Sequence, residues 1–137
     1  MATHRFPIRL GSRSRPLLRL FGVRGPADAW VELGDDELEA RFGRARAATP
    51  ISNISGYRMA GPWLWVTAIG IRRGLRGDIT FGGSHHGGVR LTFRERIRVG
   101  AFRAPDLYVT VDDIEGFAAA LGELGIVGVD DRKRKVP

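Results

Sequence analysis

Short runs in which apolar and polar residues alternate dominate the chain, and a period of two is typical of β-strands with one buried face. The clearest run, AWVELGDDELEARFG, predicts a hairpin in which the polar GDDE stretch supplies the turn. The hairpin residues predicted to face inward are Val31, Leu33, Leu38, Ala40 and Phe42. Further strands are predicted in THRFPIRL, RARAATPISNISGYRM with a break near Pro50, DITFGG, GVRLTFRERIRV and DLYVTV, and GPWLWVTAIGI is a second apolar segment.

A helical period replaces the period of two near the end of the chain and predicts one amphipathic helix there. Its buried face would consist of Ile114, Phe117, Ala118, Leu121 and Leu124. Asp112 is the predicted N-cap, with Glu115 as its capping-box partner, and Gly122 or Gly125 ends the helix. A second, short helix is predicted near the N-terminus in RPLLRLFG.

These elements fit one domain. Residues 1–129 are predicted to form it, followed by a polar basic tail over residues 130–137, because no linker or fixed repeat divides the 137-residue chain. Many short strands and one helix at the end predict a mainly β fold of the α+β type. A strongly bent antiparallel sheet or small barrel would satisfy them, with the C-terminal helix covering one opening.

A resemblance points to the same architecture. The segments VELGDDELEARFGRARAATPISNISGYRMAGPW, GDITFGG, GVRLTFRE and LYVTVDDIEGFAAAL resemble an uncharacterised family of actinobacterial proteins, which look similar to bacterial pleckstrin-homology-like domains. The resemblance covers roughly residues 4 to 125 and implies a curved antiparallel sheet or roll closed by one C-terminal helix. It implies no activity and brings no catalytic residues, because domains of this kind bind many different partners.

Composition narrows the chemistry and the setting. The chain has no cysteine, which excludes disulfides, thiolate zinc sites and cysteine nucleophiles. No apolar run approaches the roughly 20 residues that cross a bilayer, and the basic N-terminal stretch lacks the apolar core of a signal peptide, so we expect a cytoplasmic protein. The net charge of +7 comes almost entirely from arginine and predicts attraction to anions. The arginine bias of a GC-rich genome is an alternative explanation of the same count.

The strand predicted in GVRLTFRERIRV concentrates this charge. Strict alternation places Val89, Leu91, Phe93, Ile97 and Val99 on one face, and Arg90, Thr92, Arg94, Arg96 and Arg98 on the other. Glu95 interrupts the apolar face, so a bulge or a slip in register is expected there.

Arginines at alternate positions of a strand are about 6.6 Å apart, and each guanidinium can bind phosphate or carboxylate in bidentate fashion. The candidate anion-binding residues are therefore Arg90, Arg94, Arg96 and Arg98, together with Arg72, Arg73 and Arg76 of the loop IRRGLRGD if the sheet places that loop beside them. The alternative is a solvated strand face whose arginines pair with acids on neighbouring strands, such as Glu32 and Glu39.

The stretch FGGSHHGG places two adjacent histidines, His85 and His86, among four glycines. Neighbouring residues of an extended strand point to opposite faces, and a metal site needs several converging ligands, so we predict no metal here. A strand rather than a helix follows the glycines, which excludes a phosphate-binding loop of the strand–loop–helix type. We predict a hairpin loop whose glycines allow positive φ.

Trp63 and Trp65 share a face if their segment is extended. They are predicted to fill a core or a dimer interface, with a stacking platform or a membrane-interface anchor as the alternative. The adjacent acids at positions 35–36 and 112–113 are explained as turn and cap residues, and no serine lies in a strained-elbow motif. We therefore predict no enzyme, no catalytic residue and no cofactor.

The arginine strand favours a small binding or interaction module with an anionic partner, which would be an acidic protein, a lipid head group or nucleic acid. Two alternatives stay open. One is a structural or homo-oligomeric interaction protein that uses an apolar surface near Trp63 and Trp65. The other is a small-molecule carrier with a cavity inside the sheet.

Overall fold

The part of the chain that the structure describes contains ten β-strands, and most of them lie in the segments where apolar and polar residues alternate. The structure is a computed structural model, and it describes residues 4–10, 18–60, 70–73, 77–82 and 87–130. The strands are β1 His4–Pro7, β2 Ala29–Leu33, β3 Glu37–Phe42, β4 Ala45–Pro50, β5 Ile54–Ala60, β6 Gly70–Arg73, β7 Ile79–Gly82, β8 Gly88–Val99, β9 Phe102–Val109 and β10 Gly128–Asp130. One α-helix, α1 Ile114–Glu123, lies between β9 and β10.

The strands form one mixed sheet. Its main path runs β1-β2-β3-β4-β8-β9-β7-β6, while β5 pairs with β8 and β10 pairs with β5. Two of the pairs, β5 with β10 and β7 with β9, are parallel, so the predicted all-antiparallel sheet is wrong for these pairs. A single bridge between Ile8 and Val111 joins the chain after β1 to the chain after β9, and the sheet is not a closed barrel.

The predicted hairpin of β2 and β3 is confirmed, and it supplies one wall of the core. The two strands pair antiparallel around residues 34–36, with Leu33 opposite Leu38. All five residues predicted to face inward are buried. The predicted break near Pro50 is confirmed as well, because a 3₁₀ turn at Ile51–Asn53 separates β4 from β5.

The long strand β8 runs through the middle of the sheet. Its first half, residues 88–93, lies between β5 and β9. Its second half, residues 94–99, ends in a residue that pairs with β4 on one side and β9 on the other. The predicted apolar face is confirmed, since Val89, Leu91, Phe93, Ile97 and Val99 are all buried. The predicted irregularity is confirmed too, because the register with β9 shifts between Thr92 and Ile97.

The connection from β7 to β8 is not the predicted hairpin. Phe81 of β7 and Val89 of β8 both pair with Val109, from opposite sides of β9. The two strands therefore lie on opposite sides of β9 and are not neighbours. A Cβ at Gly88 would overlap the backbone of Val109 and Thr110, so only glycine fits at this position. His85 and His86 lie outside the described residues.

The predicted C-terminal helix is confirmed, but its cap is one residue later than predicted. The Asp113 side chain accepts a hydrogen bond from the Gly116 N–H, whereas the Asp112 N–H donates to the carbonyl of Pro7. Gly125, at φ +86°, ends the helix in a Schellman arrangement, with the Ile126 N–H bonded to the carbonyl of Leu121. The buried helix residues Phe117, Ala118 and Leu121 pack on the sheet, where the Phe117 ring contacts Phe6.

The predicted N-terminal helix is only partly within the described residues. In the described part, a 3₁₀ turn lies at Arg19–Phe21, and Gly22 follows it in the left-handed region at φ +87°. The helix itself stays a prediction. Residues 11–17 lie outside the described part. Across the described ranges, α1 is far too short to cross a bilayer, and no other helix has the length and apolar character for it either.

Candidate anion-binding surface

Alternation along β8 sends its arginines to one side of the sheet, but the two halves of the strand give them different neighbours. In the first half, Arg90 is 29% exposed and its guanidinium lies 3.3 Å from an Asp78 carboxylate oxygen and 3.7 Å from one of Asp106. It also lies over the ring of Tyr108. These contacts bind Arg90 into the fold, so the prediction that it helps to hold an external anion is not supported by its surroundings.

In the second half, Arg94, Arg96 and Arg98 are exposed. The Arg94 Nε–H donates to the carbonyl of Ser52 at 3.0 Å, and this bond holds the guanidinium next to the 3₁₀ turn that precedes β5. Arg98 lies directly opposite Arg103 of β9, which is exposed as well. Within the described part of the chain, no carboxylate lies within ion-pair distance of Arg96, Arg98 or Arg103. We call Arg94, Arg96, Arg98 and Arg103 the arginine strip.

The sheet contains other arginines that face each other across strands, and they provide a comparison. Arg41 is opposite Arg46, and Arg58 is opposite Arg90. Arg41 pairs with Asp28, and Arg46 with Glu39. Like charges directly opposite each other destabilise a sheet, and in these two pairs nearby carboxylates relieve the repulsion. Arg98 and Arg103 lack that relief among the described residues, so their positive charge stays open to an anion from outside.

The irregular segment between the two halves is held by one side chain. The Asn53 amide accepts a hydrogen bond from the Glu95 N–H and donates one to the Glu95 carbonyl, both at 2.9 Å. It donates a further bond to the Thr49 hydroxyl. The amide therefore takes the place of a strand partner for Glu95, whose side chain turns to solvent while Ile97 returns to the core. This bulge sets the positions of Arg94 and Arg96.

The loop IRRGLRGD approaches the arginine strip at its C-terminal end. A Cβ built on Gly77 would lie 3.7 Å from Arg96 Nη1 and 3.8 Å from Pro105 Cδ, so Gly77 is next to the Arg96 guanidinium. Arg72 and Arg73 belong to β6, but their side chains lie outside the described part, as does all of Arg76. The predicted contribution of Arg72, Arg73 and Arg76 to the strip stays a prediction.

The acids named in the alternative interpretation bind other arginines. Glu32 pairs with Arg5 at 3.1 Å, and Glu39 pairs with Arg46. Pairing with an acid does occur in β8: among the described residues, Arg90 is the arginine of this strand that shows it, and its partners Asp78 and Asp106 differ from the predicted acids. Trp63 and Trp65 lie outside the described residues. Among those that are described, histidines and carboxylates form no group of three suited to a metal ion.

Arg103 is the site residue that the sequence reasoning missed, although a signal for it was present. The turn between β8 and β9 has two residues, Gly100 and Ala101, and Gly100 has φ +62°. A two-residue turn fixes the register of a hairpin, so Val99 must face Phe102 and Arg98 must face Arg103. Reading RVGAFR as a hairpin turn would have placed the two arginines together.

Comparison with known proteins returns no relative: no protein family, no curated protein and no solved structure matches the chain.

Proposed function

We propose that this protein is a non-enzymatic binding module of the cytoplasm that contacts a partner with several oxyanions through the arginine strip. One observation carries the proposal: the exposed Arg98 and Arg103 face each other, and within the described ranges they lack the carboxylates that accompany the other cross-strand arginine pairs. A phosphate or carboxylate between two guanidiniums would form charge-assisted, bidentate hydrogen bonds and remove their repulsion.

The architecture supports a binding role. Several exposed cations on a rigid strand can engage a row of anions without ordering a loop, and this lowers the entropic penalty of association. The mainly β sheet with a helix directly after its last long strand agrees with the pleckstrin-homology-like assignment, which remains part of the proposal. Phospholipid head groups and single-stranded nucleic acid both present oxyanions in series, and the experiment below separates them.

The test is co-sedimentation with anionic and neutral phospholipid vesicles at low and high salt, with short single-stranded DNA as a competitor. We expect binding to anionic vesicles alone and release by salt, because exposed charges are screened over about 10 Å at 0.1 M ionic strength. Competition by DNA would mean that the strip binds oxyanions without choosing the head group. Binding to DNA but not to vesicles would assign nucleic acid as the partner.

A matched pair of variants tests the strip itself. Arg98→Gln with Arg103→Gln removes the unrelieved pair, and Arg41→Gln with Arg46→Gln removes an equal charge from a pair that has carboxylate partners. We expect the first variant to weaken binding about tenfold or more and the second to change it little. Equal losses in both variants would show attraction by net charge alone and would contradict the proposal.

A further inference from the structure

An apolar cavity lies on the other face of the hairpin that carries Arg98 and Arg103. Its volume is about 310 Å³, and its apolar wall is formed by Ala45, Ile71, Ile79, Val99, Ala101 and Phe102. It therefore opens where the start of β4, the strands β6 and β7, and the β8–β9 turn come together. Its size and lining are those of a small-molecule site, which is mostly apolar and carries few polar groups.

One charged residue, Arg44, is among the described residues that line this cavity. Arg44 is exposed, and no carboxylate of the described chain lies within ion-pair distance of it. The aliphatic part of the Arg44 side chain packs against Gly22. A Cβ atom built on Gly22 would lie 3.1 Å from Arg44 Cγ and 3.4 Å from the Arg44 backbone nitrogen. The cavity thus combines an apolar lining with one exposed arginine among its wall residues.

We propose that this cavity binds a single-chain aliphatic carboxylate, with its tail among the apolar side chains and its carboxylate on the Arg44 guanidinium. The volume sets the length of the chain. At about 30 Å³ for each water-sized group, 310 Å³ holds about ten such groups, which corresponds to a saturated carboxylate of roughly eight to ten carbons. A neutral lipid or an alcohol of equal length would fill the same space without satisfying Arg44.

The cavity and the arginine strip are separate sites. Val99 faces Phe102 across the hairpin, and both line the cavity, whereas Arg98 faces Arg103 on the opposite side of the strands. Substitutions in the strip therefore leave the cavity wall intact. For this reason, failure of the anion-binding proposal and failure of the cavity proposal can be told apart.

The experiment is titration calorimetry of the full chain with decanoate and, as a probe without charge, decanol. We expect decanoate to bind with one site per chain and decanol to bind more weakly. Arg44→Gln should lower decanoate affinity about tenfold, the factor expected for one charge-assisted hydrogen bond at a partly solvated position, and should leave decanol unchanged. Arg46→Gln is the matched control, because Arg46 lies in β4, only two residues further along the chain, but pairs with Glu39 and is not among the residues that line the cavity.

A second variant tests the interior. Ala45→Leu adds bulk to the wall and should reduce the binding of decanoate and decanol together, while a thermal melt checks that the variant is folded. The proposal is overturned if decanoate does not bind at about millimolar concentration, or if Arg44→Gln and Arg46→Gln have the same effect. Unchanged binding in a folded Ala45→Leu variant would also overturn it.

Discussion

The two halves of β8 present arginines in the same alternating pattern, yet these arginines have different neighbours. In the first half, Arg90 faces Arg58, and two carboxylates from Asp78 and Asp106 approach its guanidinium. In the second half, Arg98 faces Arg103 without such a carboxylate in the described residues. Residue type and spacing along one strand therefore do not decide whether an arginine is structural. The acids that neighbouring strands bring to it decide that.

The two halves also differ in how tightly the backbone is packed. Gly88 begins the first half and lies directly against the backbone of Val109 and Thr110. Gly100 follows the second half in an open turn, and a Cβ built on it would have no neighbour within 4 Å. The first half is fixed from both sides by β5 and β9, whereas the second half ends at an exposed turn. The four predictions below test this difference, from the largest expected effect to the smallest.

Gly88→Ala should damage the packed half most. The added methyl would overlap the Val109 carbonyl and lie 2.9 Å from Thr110 Cα, and a backbone obstacle of this kind cannot move as a flexible side chain would. We expect a loss of about 3 kcal/mol or more in the free energy of unfolding, measured by urea denaturation. Gly122→Ala is the control: it lies in α1 with open space around it, and it should be neutral or slightly stabilising.

Asn53→Ala should separate the halves by releasing the bulge between them. The substitution removes three hydrogen bonds and leaves the backbone of Glu95 without its partner, so we expect about 2 kcal/mol of destabilisation by urea denaturation. Anion binding should fall as well, because the positions of Arg94 and Arg96 depend on this segment. Ser55→Ala, which loses one exposed hydrogen bond to Thr92, is the comparison and should have a smaller effect on both. Equal effects would show that the bulge does not depend on Asn53.

The bulge also shows how far the sequence determines this fold. The alternation of apolar and polar residues correctly predicts the buried face of β8, and the charged Glu95 correctly predicts where the strand is irregular. Both signals can be recognised in the sequence because they depend only on residues within one strand. The amide of Asn53 that fills the gap is 42 residues away. No local pattern encodes such a contact, since it arises from the way in which β4, β5 and β8 are brought together.

The same limit explains the topology errors and the incomplete candidate site. A glycine-rich stretch between two strands predicts a hairpin, yet β7 and β8 pair with β9 from opposite sides. The parallel strand β10 was missed because its three residues are too few to show a period. Arg90 was grouped with Arg94, Arg96 and Arg98 because its acids lie on other elements, while Arg103 needed the register of the hairpin.

Arg90→Met should show that the first-half arginine supports the fold. Met keeps much of the apolar stem but leaves the carboxylates of Asp78 and Asp106 without their shared cation. Since the three side chains are 22–29% exposed, solvent screens part of this loss, and we expect about 1–2 kcal/mol of destabilisation. Asp78→Asn in the same background should recover part of it, whereas Arg96→Met should stay within about 0.5 kcal/mol of the native protein. If Arg96→Met were the more harmful, the contrast between the halves would be wrong.

Arg98→Glu should give the smallest change in stability, but one with the opposite sign. The new carboxylate would face Arg103 directly and replace a repulsive cross-strand pair by an attractive one, worth a few tenths of a kcal/mol. The gain should be measurable in thermal melts at low salt and disappear near 1 M salt, where the screening length is about 3 Å. Arg96→Glu is the control, since Arg96 has no arginine in register on β9. Both variants should weaken binding to anionic vesicles, but only Arg98→Glu should stabilise the fold. A protein that becomes more stable while losing its ligand is what we expect where an arginine is kept for binding. If Arg98→Glu instead destabilised the protein, Arg98 would be a structural residue like Arg90, and the two halves of β8 would not differ.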